Sequence, residues 1–179
     1  MLLELNSTNI SSVENAAQKV IEEFGSLGAV ISNAGVLEMF TPVTESSPDA
    51  WWNMWEVNIK GNYLIAPFFL PLLLANRSGF KTFLALTSIG AFSIFPGAST
   101  YQIGKLAILG FCEYLMAEKG DQGLVADGIH PGAVMTDMWA SLLRAMHGFL
   151  NDTPELAAGT TAWLKERREW LAGRCVSVT

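Results

Sequence analysis

LALTSIGAFSIFPGASTYQIGKLAIL, residues 84–109, decides how the rest of the chain is read. It continues an apolar run, Phe83 to Leu86, of the length of a buried strand, and the run ends at the polar pair Thr87–Ser88. A loop containing Gly90, Pro96 and Gly97 follows, then a helix carrying Tyr101 and Lys105. Residues four apart on a helix share a face, so the phenol and the ammonium can reach one small volume. An unperturbed phenol, with a pKa of about 10, is a poor base near neutrality. A fixed cation beside it favours the phenolate and brings it towards the working range. Ser88, just past the carboxyl end of its strand, can aim a hydroxyl into the same volume. That edge of an open α/β sheet is where ligands bind.

Other fragments fall into order around this stretch. Upstream, Ala29 to Ser32 reads as a strand running into Asn33-Ala34-Gly35, where Gly35 permits close backbone approach or a positive φ. Ser47-Pro48-Asp49 is a strong helix start, with a capping hydroxyl, a proline at the first position and an acid in the first turn. That helix carries Trp51, Trp52 and Trp55, then Val57-Asn58-Ile59-Lys60-Gly61. Trp51 and Trp55 share a face and Trp52 points elsewhere. The run Tyr63 to Leu74 is apolar nearly all round, which predicts burial on two sides. It contains Pro67 and Pro71 and is too short to span a bilayer.

Downstream, a strand over Leu124 to Ile129 enters His130-Pro131-Gly132-Ala133-Val134-Met135-Thr136-Asp137, with His130 in a structural or neutral role. Asp137 to Leu150 is rich in Met and Trp and fits either a core segment or a lid over a pocket. Asp152 to Glu155 starts a helix running to about Leu171, Gly173 stops it, and Cys175 to Val178 reads as an edge strand. At the N-terminus, Leu2 to Leu5 reads as a short strand, and Ser11 or Ser12 caps a helix ending at Gly25.

With 179 residues, half of them hydrophobic and 16% charged, the chain reads as one folded domain over 1–179. A net charge of −6 argues against nucleic acid and anionic membrane as partners. Cys112 and Cys175 have no metal-type spacing to each other, to His130 or to His147, and read as reduced core residues of a cytoplasmic protein. No metal is expected.

Tyr101, Lys105, and Ser88 thirteen residues before the Tyr, with the flanking fragments in matching order, resemble the active-site segment of the short-chain dehydrogenase/reductase family. The resemblance runs from about Leu3 to Val178. In the second half, IHPGAVMTDM, TPELAAGTTAWL and ERREWLAGR look most like members from filamentous fungi. It implies NADP or NAD as cofactor, a medium-sized apolar ketone or alcohol as substrate, and a step in fungal secondary-metabolite biosynthesis. Tyr101 would be the general acid in ketone reduction. Lys105 would lower its pKa and hold the nicotinamide ribose, and Ser88 would donate to the carbonyl oxygen. Asn58 would hold a helix distortion and a relay water. Asn33, Ala34 and Gly35 would lie against the adenosine, with Ser32 standing where the family has a further Asn. Pro131, Gly132, Val134 and Thr136 would meet the carboxamide and phosphates. Helices around Trp51–Trp55 and Tyr63–Leu74 would join a homo-oligomer.

One departure is large. The family's opening strand, its Gly-rich turn Thr-Gly-x-x-x-Gly-x-Gly and the strand that selects NAD or NADP have no counterpart here. That turn is the fold's main anion site. The expected fold is therefore Rossmann-like α/β, a mostly parallel sheet of about five strands with helices on both faces, lacking the first two β-α units. Leu2 to Leu5 would pair beside Ala29 to Ser32. A chain that keeps the site residues but binds no dinucleotide, and a relative that uses them for dehydration or isomerisation, are the competing readings.

Overall fold

The computed structural model describes residues 1–38, 40–77, 79–140, 148, 150–164 and 169–178. Four parallel strands form one sheet in the order β1 (Ala29–Ser32), β2 (Thr82–Leu86), β3 (Val125–His130) and β4 (Cys175–Ser177). Ala29 pairs with Thr82, Thr82 with Val125, and Gly128 with Cys175. Parallel strands covered on both faces read as unbroken apolar runs, and β2 and β3 do so because every second residue serves the opposite layer. Phe83, Ala85 and Ala126 pack with Leu73, Ile108 and Cys112. These come from α3 (Gly61–Ala75) and α4 (Ser99–Lys119). On the other face Leu84 and Ile129 pack with Leu164 of α6 (Pro154–Leu164). After β3 comes a single turn of helix, α5 (Asp137–Ala140), the first helical element described before α6.

Four strands form where the sequence predicts about five. Residues 2–5 make no strand and do not pair with β1, which has one strand neighbour among the described residues. The polar run directly after them coils at once: Asn6 accepts the backbone N–H of Thr8 on its side chain and that of Asn9 on its carbonyl. Leu2 is left fully exposed, while Leu3 packs against the cluster of Val13, Ala16, Ala17, Leu64, Phe69 and Leu72. Leu5 instead borders a cavity of about 290 Å³ at the free edge of β1. Three leucines in four residues are enough for a strand pattern but here have no strand to meet.

The first helix, α1 (Ile10–Phe24), is capped by Asn9, whose side chain accepts the Ser12 N–H, not by Ser11 or Ser12. Ser12 turns back and accepts the Asn6 N–H. Gly25, at φ 70°, ends the helix as its sequence predicts. Downstream, α6 ends at Leu164 and a short 3-10 turn covers Glu169–Leu171; part of the predicted helix, 165–168, lies outside the described residues, as do 141–147 and 149 of the predicted lid.

Ser47 caps α2 (Pro48–Trp55), which passes through a π-turn, Glu56–Lys60, straight into α3. The continuous rod of 28 residues is by length and composition apolar enough to cross a membrane, longer than the Tyr63–Leu74 run suggests. Half of its most apolar stretch is buried against the rest of the chain, which accounts for its composition as that of a core helix. Pro67 and Pro71 sit on its outer side, so the burial is one-sided at those positions. Trp52 does not point away from the other two indoles. It stands edge-on to Trp51 at 5.0 Å and to Trp55 at 5.9 Å, while Trp51 and Trp55 stack at 5.4 Å.

Candidate active site

The carboxyl ends of β1, β2 and β3 deliver Asn33–Val36, Thr87–Ser88 and Pro131–Thr136 to one edge of the sheet, and the first turns of α4 cross that edge. Thr87 Oγ1 donates to the Lys105 carbonyl at 2.8 Å, and Thr100 Oγ1 to the Trp51 carbonyl at 2.9 Å. These two bonds tie the start of α4 to β2 and to the tryptophan helix.

Lys105 is buried, and its Nζ donates to the Leu86 carbonyl at 2.7 Å while lying 5.5 Å from the centre of the Tyr101 ring. Burial brings its pKa down to about 8. Burial also raises the Tyr101 phenol above its usual value, opposed by a hydrogen bond with Ser88. The depression of the Tyr101 pKa expected from Lys105 is thus not found: burial moves the phenol the other way. The ammonium sits over the ring and spends a donor on a backbone carbonyl, so desolvation outweighs attraction. Ser88 Oγ also accepts the Gly90 N–H at 3.1 Å.

Asn58 lies in the π-turn and is almost wholly buried. Its Oδ1 accepts the Val36 N–H at 2.8 Å and its Nδ2 donates to the Val36 carbonyl at 2.9 Å, which pins the loop after β1. A Cβ on Gly35 would stand 3.1 Å from Asn58 Oδ1 and 3.7 Å from Lys105 Nζ. Glycine is what lets these two side chains approach the loop together. The resemblance assigns Asn58 a relay water. Its side chain is held by Val36 through one donor and one acceptor, and its carbonyl accepts Asn62 Nδ2 at 2.6 Å.

Two cavities meet at Tyr101. The larger, about 570 Å³, is lined by Asn33, Ala34, Gly35, Tyr101, Lys105, Pro131, Gly132, Val134 and Thr136, every residue the resemblance assigns to a cofactor. The smaller, about 290 Å³, holds Ser88 and Tyr101 between Phe40, Phe95, Trp139 and Leu150. Asn58 lines neither; it approaches the site from behind Gly35, which lines the larger. The larger cavity fits the ribose and nicotinamide end of a dinucleotide, with an ammonium, a threonine and turn backbone on its wall. For a pyrophosphate the match is poorer. Among its described lining residues Lys105 is the one cation, Asp137 opposes it, and no Gly-rich turn takes part.

His130 is buried in the wall of the smaller cavity, and its Nδ1 has no hydrogen-bond partner among the described residues. Burial lowers its pKa, which favours the neutral ring. Gln102, which the sequence does not single out, accepts the Phe95 N–H on Oε1 at 2.9 Å and so holds Phe95 against Phe40, 5.4 Å between ring centres. Its only sequence signal is its place beside Tyr101.

Residues 1–147 match the sequence family described as short chain dehydrogenase. The chain is 44% identical over 176 residues to the short chain dehydrogenase mpl6 of Monascus purpureus, covering 98% of this chain and 60% of that protein. It is 40% identical over 181 residues to the short chain dehydrogenase pigC of Monascus ruber, covering 99% and 59%. The chain thus spans about 60% of the length of these curated relatives. A solved short-chain dehydrogenase/reductase from Serratia marcescens, in a doubly substituted form, superposes with a TM-score of 0.85 at 21% identity, covering 97% of this chain and 73% of that one. At that identity the superposition speaks for the fold.

Proposed function

The chain belongs to the short-chain dehydrogenase family, and from that premise we propose that it serves the NAD(P)-dependent interconversion of a ketone and a secondary alcohol. One observation carries the reading: Tyr101 stands where the two cavities join, with Lys105 on the larger side and Ser88 on the smaller. A carbonyl entering the smaller cavity would meet the Ser88 and Tyr101 hydroxyls together. In the reducing direction Tyr101 gives its proton to the carbonyl oxygen, and Ser88 donates a hydrogen bond that strengthens as charge develops there. Lys105 holds the ribose hydroxyls and, once moved off the Leu86 carbonyl, stabilises the phenolate left behind. Asn58 keeps Val36 and the loop in place, and the π-turn it belongs to would hold the relay water. The dinucleotide, when bound, supplies the hydride.

Phe40, Phe95, Trp139 and Leu150 suit a substrate with an apolar body around its carbonyl. The place in fungal secondary metabolism that the resemblance implies draws on the fungal origin of the Monascus relatives, and the two free cysteines suit a reducing, cytoplasmic setting. The competing reading, a chain that keeps the site but binds no dinucleotide, draws on the poor match to a pyrophosphate. Titration of the purified chain with NADH and NADPH, followed by nicotinamide fluorescence, separates the two. Saturable binding in the micromolar range is expected. The Tyr101→Phe variant should keep that binding and lose roughly 10²- to 10⁴-fold in turnover of a model aromatic ketone. A folded chain that binds neither nucleotide would sink the enzyme reading.

A further inference from the structure

The turn after β3 is held from behind by a residue that the site described so far does not use. Gly132 has φ of +85°, and a Cβ placed there would stand 2.7 Å from Asp152 Oδ2, so both the backbone conformation and the space require glycine. Through that gap Asp152 Oδ2 accepts the Ala133 N–H at 2.6 Å. In return the Asp152 N–H donates to the Ala133 carbonyl at 3.1 Å, and Val134 and Asp152 form a parallel bridge. Both backbone groups of Ala133 are therefore spent on Asp152. In extended chain the backbone groups of successive residues face opposite sides. With those of Ala133 turned to Asp152, the N–H and carbonyl of Val134 face the other way, and Val134 lines the larger cavity.

We propose that Asp152 is a positioning residue that sets the 131–136 turn so that Val134 presents its backbone donor and acceptor to the carboxamide of the nicotinamide. The inference rests on the dehydrogenase reading above. The resemblance already implies that this turn meets the carboxamide, an amide that needs an acceptor and a donor side by side. A single extended residue offers both, and what the structure adds is the part of Asp152. Asp152 touches no ligand; it acts through Ala133. As an element, residues 150–152 also become the strap that ties the segment after the turn to the cofactor side of the site. In the sequence the same aspartate passes for part of a helix start, yet α6 begins beyond it, with the Leu156 N–H on the Thr153 carbonyl.

The test compares a ligand that has the nicotinamide with one that lacks it. NADH and ADP-ribose are titrated against the wild-type chain, Asp152→Ala and Asp152→Asn. Loss of the charge-assisted bond should weaken NADH binding by roughly tenfold in Asp152→Ala, with ADP-ribose binding within about twofold of wild type. Asp152→Asn, which keeps a side-chain acceptor at the same reach, should recover most of the NADH affinity. If Asp152→Ala does not fold, Asp152→Ser serves, since its hydroxyl ends one atom short of the Ala133 amide. Equal weakening of both ligands would reduce Asp152 to a structural tie and overturn the inference, as would unchanged NADH binding. If the wild-type chain binds neither ligand, the dehydrogenase reading falls and takes this one with it.

Discussion

Lys105 and Tyr101 are both pushed by burial towards their neutral forms, the ammonium down to about 8 and the phenol above its usual value. On the function proposed above, ribose hydroxyls and a phenolate would satisfy this buried cation, which gives its cost a purpose. The cost has a measurable sign. With the folded pKa of Lys105 below its ordinary 10.5, the unfolded chain holds more protons between about pH 8 and pH 10.5. This contribution to stability therefore rises with pH across that window, and the full penalty is present below it. Lys105→Met should remove the penalty and the slope. Urea unfolding is expected to show the variant more stable at pH 7 by roughly 1–3 kcal/mol, with the difference shrinking towards pH 10 and turnover lost. A variant no more stable at pH 7 would mean that the bond from Nζ to the Leu86 carbonyl offsets the desolvation.

At the scale of the elements, α1 shows how local chemistry and chain context divide the work. Asn6, Ser7, Thr8, Asn9, Ser11 and Ser12 are all residues that cap helices, so the sequence announces a start without choosing among them. The choice falls to Asn9 because the turn begun by Asn6 places it at the helix mouth, and Ser12 is then free to bond back to Asn6. Asn9→Ala should cost about 1 kcal/mol in urea unfolding, whereas Ser11→Ala should change stability by less than about 0.5 kcal/mol. Equal costs would contradict the assignment. The same division explains what was legible elsewhere. The Tyr101–Lys105 pair follows from helical period alone, and β2 and β3 fall within a residue of their predicted bounds because both layers demand apolar runs. The strand over residues 2–5 fails because pairing is a tertiary property that four leucine-rich positions cannot specify. Gln102 and Asp152 escape notice for a related reason: each bonds to the backbone of a distant or folded-back loop, and no periodic pattern marks such a contact.

For the molecule as a whole, the outer faces of α4 and of the α2–α3 rod carry more apolar surface than a lone domain needs. On α4, Ile103, Leu106 and Tyr114 are exposed along one stripe, and Gly110 between them has open space where a side chain would be. Trp52 and Tyr63 add exposed aromatic surface on the neighbouring rod. These residues have no core role in the chain itself, unlike Leu64, Leu70 and Leu73 on the inner side of α3. Helix faces of this kind meet a second copy readily, since a two-fold axis sets each stripe against itself. We propose that the chain forms a homo-oligomer through α4 and the α2–α3 rod. A stable interface of this type buries on the order of 1,600 Å², enough for two helices from each copy. Leu106→Arg places a charge in the middle of the stripe while leaving the buried face of α4, with Ile108, Leu109 and Cys112, untouched. Sedimentation velocity at micromolar concentration should show a dimer or tetramer for the wild-type chain and a monomer for the variant, with unchanged helical content. A wild-type monomer would leave these faces unexplained by self-association and remove the proposal. An oligomer that survives Leu106→Arg would place the interface on the rod rather than on α4, and Tyr63→Arg would then be the variant to dissociate it.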